Sequence, residues 1–279
     1  YDLTNKLVKS FIKEKNKRKT IVNNDEIEFS YILNSSTIQN TFVDEIFLKL
    51  NISAKDLNSF YNYNLSDWDN LNKKFNTLTI RISLSFENIK DFKEIISHEL
   101  LHAFEDYKRR IGDNMGLTKL DGEYTSFQTK TLTDISKNFT KPLKYIEYFL
   151  YYLMSIEKRA NVTQLYFELE KMDFNIEDIK NKRYKELSFY KIYNNIRDNG
   201  DLILDSLNDD ELKLLNGYIS KIKPLKSIYS KNNNKLIYNL KKYFKLESEK
   251  VLKKMNKVLS LYIDEDFVKN YIKNYKYKI

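Results

Sequence analysis

Cysteine is absent from this 279-residue chain. That excludes disulfide staples and every zinc site built on thiolates, so a metal would have to be held by histidine and carboxylate. Histidine is nearly absent as well: His98 and His102 are the only two. Proline and glycine are scarce, at 2 and 5 residues, so few positions force a break in a helix or strand. No apolar run approaches the roughly 18 residues that span a bilayer. The densest stretch, Tyr145 to Met154, is short and interrupted by Glu147. The chain opens on Tyr1 without a signal-peptide pattern, so the expectation is a soluble form with no targeting or transmembrane segment, its N-terminus open to processing. The compartment stays open, because absence of cysteine does not decide it.

Hydrophobic residues make up 42% of the chain and aromatics 14%, a composition that buries a core and excludes a disordered protein. The net charge of +9 is unevenly placed. Residues 1–140 hold 20 basic and 20 acidic side chains, and residues 141–217 hold 12 and 14. Residues 218–279 hold 16 against 5, so the basicity belongs to the last part of the chain.

Leu3, Leu7, Val8, Phe11 and Ile12 recur at helical spacing and predict an amphipathic helix over 3–18. Alternation over 27–33 predicts a strand. Residues 37–51 are ambiguous: Phe42, Val43, Ile46, Phe47 and Leu50 fit a helix in a β-rich segment. Residues 53–75, with the single Trp68, read as helix or turn. Residues 78–86 alternate five apolar residues with small or polar ones, the clearest strand in the chain. It runs almost directly into a helix expected to start at Asn88 as N-cap, with Asp91 as a box-like partner, and to end near Arg110 before Gly112. Residues 111–140 read as a long polar loop. Pro142 then opens one long helix over 142–172, followed by helices near 175–198, 201–223, 233–263 and 264–276. The fold class is therefore α+β: a small N-terminal mixed sheet packed on the helix after residue 88, then a mainly helical C-terminal part. The domain division expected is 1–140 and 141–279.

The helix after residue 88 carries His98-Glu99-Leu100-Leu101-His102. Histidines four apart lie one turn apart on one helix face, where they can share a metal ion. Glu99 then sits beside the metal, placed to take a proton from a bound water. The motif resembles the zinc-binding helix of the zincin metallopeptidases, and the strand leading into it matches their order of elements. The resemblance implies an edge strand lying over the cleft, on which an extended peptide substrate pairs.

A catalytic zinc usually has a third protein ligand, with water in the fourth position. Here it must be Asp or Glu. Asp106 shares the histidines' face, but a metal between them lies roughly 9 Å of helix rise from its level. Asp106 suits an outer role behind the ligands, or pairing with Arg109 or Arg110. Glu157 is the better candidate, a carboxylate inside an apolar helix with Leu153 one turn before it and Ala160 after. Glu147 is the fallback, with Glu168 and Glu123 behind it. A glutamate from a second helix resembles the gluzincin branch. In thermolysin-like members an aspartate four residues on orients a zinc-bound histidine, and here that position is Asn161, whose amide oxygen can accept from an imidazole. The metzincin continuation of glycine and a third histidine is absent, since the chain reads Ala103-Phe104-Glu105-Asp106-Tyr107.

The function implied is a zinc-dependent metallopeptidase with one Zn2+ per chain, acting on a protein or peptide. His98, His102 and Glu157 are its ligands and Glu99 its general base. The oxyanion donor would be a tyrosine or arginine. Two alternatives are a catalytically inactive binding or structural protein on the same scaffold, and nucleic-acid binding through the basic C-terminal region. That region has Tyr238, Tyr243 and Phe244 among its lysines but no arginine to read bases. It also suits an acidic substrate or an anionic surface.

Overall fold

The computed structural model describes residues 2–13, 18–23, 26–34, 43–53, 60–61, 66–85, 91–112, 130–222 and 225–263. They belong to two compact units, the first within Tyr1–Met115 and the second within Gly116–Tyr271.

The first unit is α+β. Helix α1 (Asp2–Lys13) precedes strands β1 (Arg18–Asn23), β2 (Glu26–Asn34), β3 (Val43–Ser53), β4 (Phe60–Tyr61), β5 (Asp67–Asp69) and β6 (Lys74–Ser85), and helix α2 (Phe92–Arg110) follows. The sheet is mixed, in the order β1-β2-β3-β6-β4, with β5 also on β6. β1, β2 and β3 are antiparallel neighbours, β3 and β6 are parallel, and the short β4 and β5 run antiparallel to β6.

Register explains the sheet's two faces. Leu48 pairs with Tyr31 on one side and Ile80 on the other, and Leu50 pairs with Phe29 and Ile82. Because side chains alternate along a strand, Ile46, Leu48, Leu50 and Ile52 align with Leu78, Ile80, Ile82 and Leu84 on one apolar face. The opposite face carries Glu28 and Lys49, which form an ion pair at 2.7 Å. Helix α2 covers the apolar face with Ile96, Leu100 and Ala103, spaced four and three residues apart.

Three expectations change here. Residues 43–53 are strand, not helix: the period-2 run Ile46, Leu48, Leu50, Ile52 lies between two partner strands, and tertiary pairing overrides the helical spacing of Val43, Ile46, Phe47 and Leu50. The described part of 53–75 holds two short strands and a turn. Trp68 in β5 packs edge-on against Phe75, with ring centroids 4.9 Å apart. Asp91 itself is the N-cap of α2 without a side-chain cap bond, and Asn88 lies outside the described residues. At the other end Gly112 adopts φ of +77°, as expected just beyond the helix.

The second unit is helical: α3 (Lys130–Ser136), α4 (Lys141–Tyr152), α5 (Ser155–Lys171), α6 (Ile176–Lys180), a 3₁₀ turn (Arg183–Glu186), α7 (Ser188–Asp205), α8 (Asp209–Lys221) and α9 (Asn233–Ile263). The 142–172 helix is thus two helices. Leu153 and Met154 leave helical geometry, with Met154 at ψ 144°, and both are buried. The apolar periodicity continues through them, so the break is invisible to pattern. Residues 130–136, expected as loop, are helix, while 113–129 and the 264–276 helix lie outside the described residues. The expected break near residue 200 is also absent. Gly200 sits inside α7 because a Cβ there would come within 2.8 Å of the Phe244 ring of α9, so the small residue permits close helix packing. Among the described residues no helix is long and apolar enough to cross a membrane.

Candidate metal centre

The two histidines are on α2. His98 and His102 fall on the flank of the helix turned away from the Ile96–Leu100–Ala103 stripe, as 100° per residue requires. Both are half-buried. Their Nε2 atoms are 2.9 Å apart, their rings perpendicular and their centroids separated by 4.5 Å. Two imidazole ligands at about 2.0–2.1 Å from one tetrahedral zinc stand roughly 3.4 Å apart. Opening the pair by half an ångström is a small side-chain rotation, so the donor atoms fit a shared ion. Glu99 is 5% exposed and lies between the histidine flank and the sheet-facing stripe.

Asp106, one turn beyond His102, is engaged by the end of its own helix. Arg109 Nη2 donates to its Oδ1, and Arg110 Nε donates to its Oδ2 at 2.9 Å. The Arg110 guanidinium in turn lies 5.3 Å over the Trp68 ring and 5.6 Å over Phe75. The expected pairing with Arg109 and Arg110 is present.

The candidate carboxylate, Glu157, is on α5. The break at Leu153–Met154 places Glu157 in the first turn of a new helix rather than midway along an old one. There the unpaired N–H groups and the positive end of the helix dipole favour a carboxylate, which reconciles its 6% exposure with a charge. Two tyrosines sense that charge. Burial first, then Tyr148 and the Glu157 carboxylate, hold the Tyr152 hydroxyl far above the ordinary phenol range. Burial and Glu157 do the same to Tyr193, against a lowering hydrogen bond from Asn161. Both hydroxyls remain protonated donors throughout the working pH range.

Tyr193 also braces the break itself. Fully buried on α7, it donates to the Tyr152 carbonyl at the end of α4 at 2.9 Å and accepts from Asn161 Nδ2 on α5 at 2.9 Å. Tyr243 donates to the Leu153 carbonyl at 3.3 Å. A second tie runs from α5 to α9, where Lys158 pairs with Glu247. Asn161 is 1% exposed, and its amide nitrogen is given to the Tyr193 hydroxyl. These braces carry no local sequence signal, because Tyr193 lies 32 residues from Asn161.

The alternative carboxylates have structural work. Glu147 accepts from the Tyr218 hydroxyl at 3.1 Å, and Glu168 accepts from the Ser188 N–H at the start of α7 at 2.6 Å. Glu123 lies outside the described residues. No protein-family model, no curated protein and no solved structure matches the chain.

Proposed function

We propose that this protein is a zinc metallopeptidase of gluzincin type, with His98, His102 and Glu157 holding one ion and Glu99 acting as general base. The observation that carries the reading is the convergence of the two Nε2 atoms, 2.9 Å apart on one helix flank, with a buried glutamate beside the first. A further observation supports it: Glu157 begins a helix, where a negative ligand is stabilised before any metal binds.

Zinc held there would bring the pKa of a bound water toward neutrality and polarise the scissile carbonyl. Glu99 takes the water proton and passes it to the leaving amine, so no proton is gained or lost over the cycle. The imidazoles stay neutral, as ligands must. The oxyanion donor would be a tyrosine or an arginine. The test is Glu99→Gln assayed on a peptide library. Hydrolysis should fall by at least a hundredfold at unchanged metal content. Full activity in Glu99→Gln would overturn the assignment.

A further inference from the structure

Helix α9, 31 residues long, turns one stripe inward and the opposite stripe to solvent. Leu236, Leu240, Phe244, Val251, Met255 and Leu259 are buried. Opposite them stand Lys235, Tyr238, Lys242, Leu246, Lys253 and Lys257, all exposed. Lys235, Leu246 and Lys257 are spaced by eleven, as are Lys242 and Lys253. Eleven residues make close to three full turns, so these side chains line up without drifting around the helix. The stripe is straight and about 33 Å long.

One acidic side chain, Glu249, shares this face, and among the described residues it makes no ion pair with the stripe's lysines. Lys241 and Lys250 are matched, to Asp205 at 2.6 Å and Glu247 at 2.6 Å. Lys235, Lys242, Lys253 and Lys257 have no ion pair among the described residues, and neither do the flanking Lys245 and Lys254. Two apolar side chains stand in the same row, Tyr238 at 64% and Leu246 at 44% exposure.

We propose that this face of α9 docks the protein on an anionic lipid bilayer. A flat, negatively charged plane is complementary to a straight line of exposed lysines. The headgroup layer also accepts what a phosphate backbone does not, an aliphatic and an aromatic side chain inserted between the charges. Duplex nucleic acid offers phosphates on curving ridges, and its usual base-reading residue, arginine, is missing from α9. Among the described residues no helix is long and apolar enough to cross the membrane. Lysines near such a surface each contribute about fivefold in binding, screened over about 10 Å at 0.1 M salt.

The experiment is vesicle co-sedimentation of the full chain. One set of vesicles holds phosphatidylcholine and phosphatidylserine in a three-to-one ratio, and the other holds phosphatidylcholine alone. Binding is expected to the first set only, weakening steeply with salt. Replacing Lys235, Lys242, Lys253 and Lys257 together by Gln should reduce it by roughly two to three orders of magnitude, at about fivefold per lysine. All four are exposed, and an unchanged circular-dichroism spectrum and melting curve certifies the fold. Tyr238→Ser with Leu246→Ser should remove the part of the binding that survives high salt. Equal binding to both vesicle types, no loss in the four-lysine variant, or tighter binding to duplex DNA than to anionic vesicles would overturn the proposal.

Discussion

Tyr193→Phe removes a single oxygen from the centre of the helical unit. That oxygen serves two partners across the α4–α5 break: it donates to the Tyr152 carbonyl and accepts from the Asn161 amide, each at 2.9 Å. Phenylalanine has nearly the same shape, so no cavity opens around a residue that is fully buried. The loss is therefore polar. Asn161 is 1% exposed, and its stranded N–H carries the full penalty of an unsatisfied buried donor, about 1–3 kcal/mol. The Tyr152 carbonyl ends a helix at the edge of the buried region, where water replaces part of what is lost, so its share is about 1 kcal/mol. The expected destabilisation is about 2–4 kcal/mol, read from urea unfolding followed by tyrosine fluorescence and circular dichroism. Tyr218→Phe is the internal comparison. It loses the bond to Glu147 at 3.1 Å and should cost about 1 kcal/mol. Because burial keeps both phenols protonated, the difference between the variants should be constant across neutral and mildly alkaline pH. The brace also fixes the start of the Glu157 helix, so zinc affinity in Tyr193→Phe should fall by about tenfold, in the range of outer-shell partners. A Tyr193→Phe protein within about 0.5 kcal/mol of wild type, or no less stable than Tyr218→Phe, would refute the reasoning.

Gly200→Ala should destabilise the helical unit despite alanine's better helix propensity of about 1 kcal/mol. Its Cβ would meet the Phe244 ring at 2.8 Å, and overpacking there costs about 1–3 kcal/mol. Thermal melts should show a net loss, recovered by Phe244→Leu in the same chain. Glu247 provides a pH test. Burial acts to raise its pKa, but Lys158 and Lys250 prevail and hold it below the ordinary value of 4.5. A carboxylate depressed in the folded state stabilises above that value and loses its effect as pH falls through the lowered one. Glu247→Gln should thus be less stable than wild type near neutrality, by under about 1 kcal/mol because the pair is partly solvated. The gap should close as the pH falls below about 4.5, measured by urea unfolding at a series of pH values.

What could be read from the sequence follows the range of the forces involved. The strand at 78–86 and the helix at 233–263 were legible because periodicity alone reports a buried face, and both occur close to those bounds. The α+β class follows from the same patterns. Residues 43–53 read as a possible helix because Val43, Ile46, Phe47 and Leu50 happen to fit both periods. The partners that settle them, β2 and β6, lie elsewhere in the chain. The break at Leu153–Met154 was not legible, since both residues are apolar and its braces come from Tyr193 and Tyr243 on distant helices. At the candidate site, the facing of His98 and His102 followed from spacing on one helix. The placement of Glu157 at a helix start depends on that tertiary break and had no local signature.

His98, His102 and Glu157 are proposed to bind one zinc ion. Zinc content and X-ray absorption of chelator-stripped, zinc-reloaded protein test it most directly. One zinc per chain is predicted, with two imidazole nitrogens and a carboxylate oxygen at about 2.0–2.2 Å. Glu157→Ala, with its fold verified by circular dichroism, should lower the affinity by more than the tenfold to hundredfold typical of an outer-shell residue. A chain that takes up no zinc, or a Glu157→Ala protein that binds it as tightly as wild type, would contradict the account.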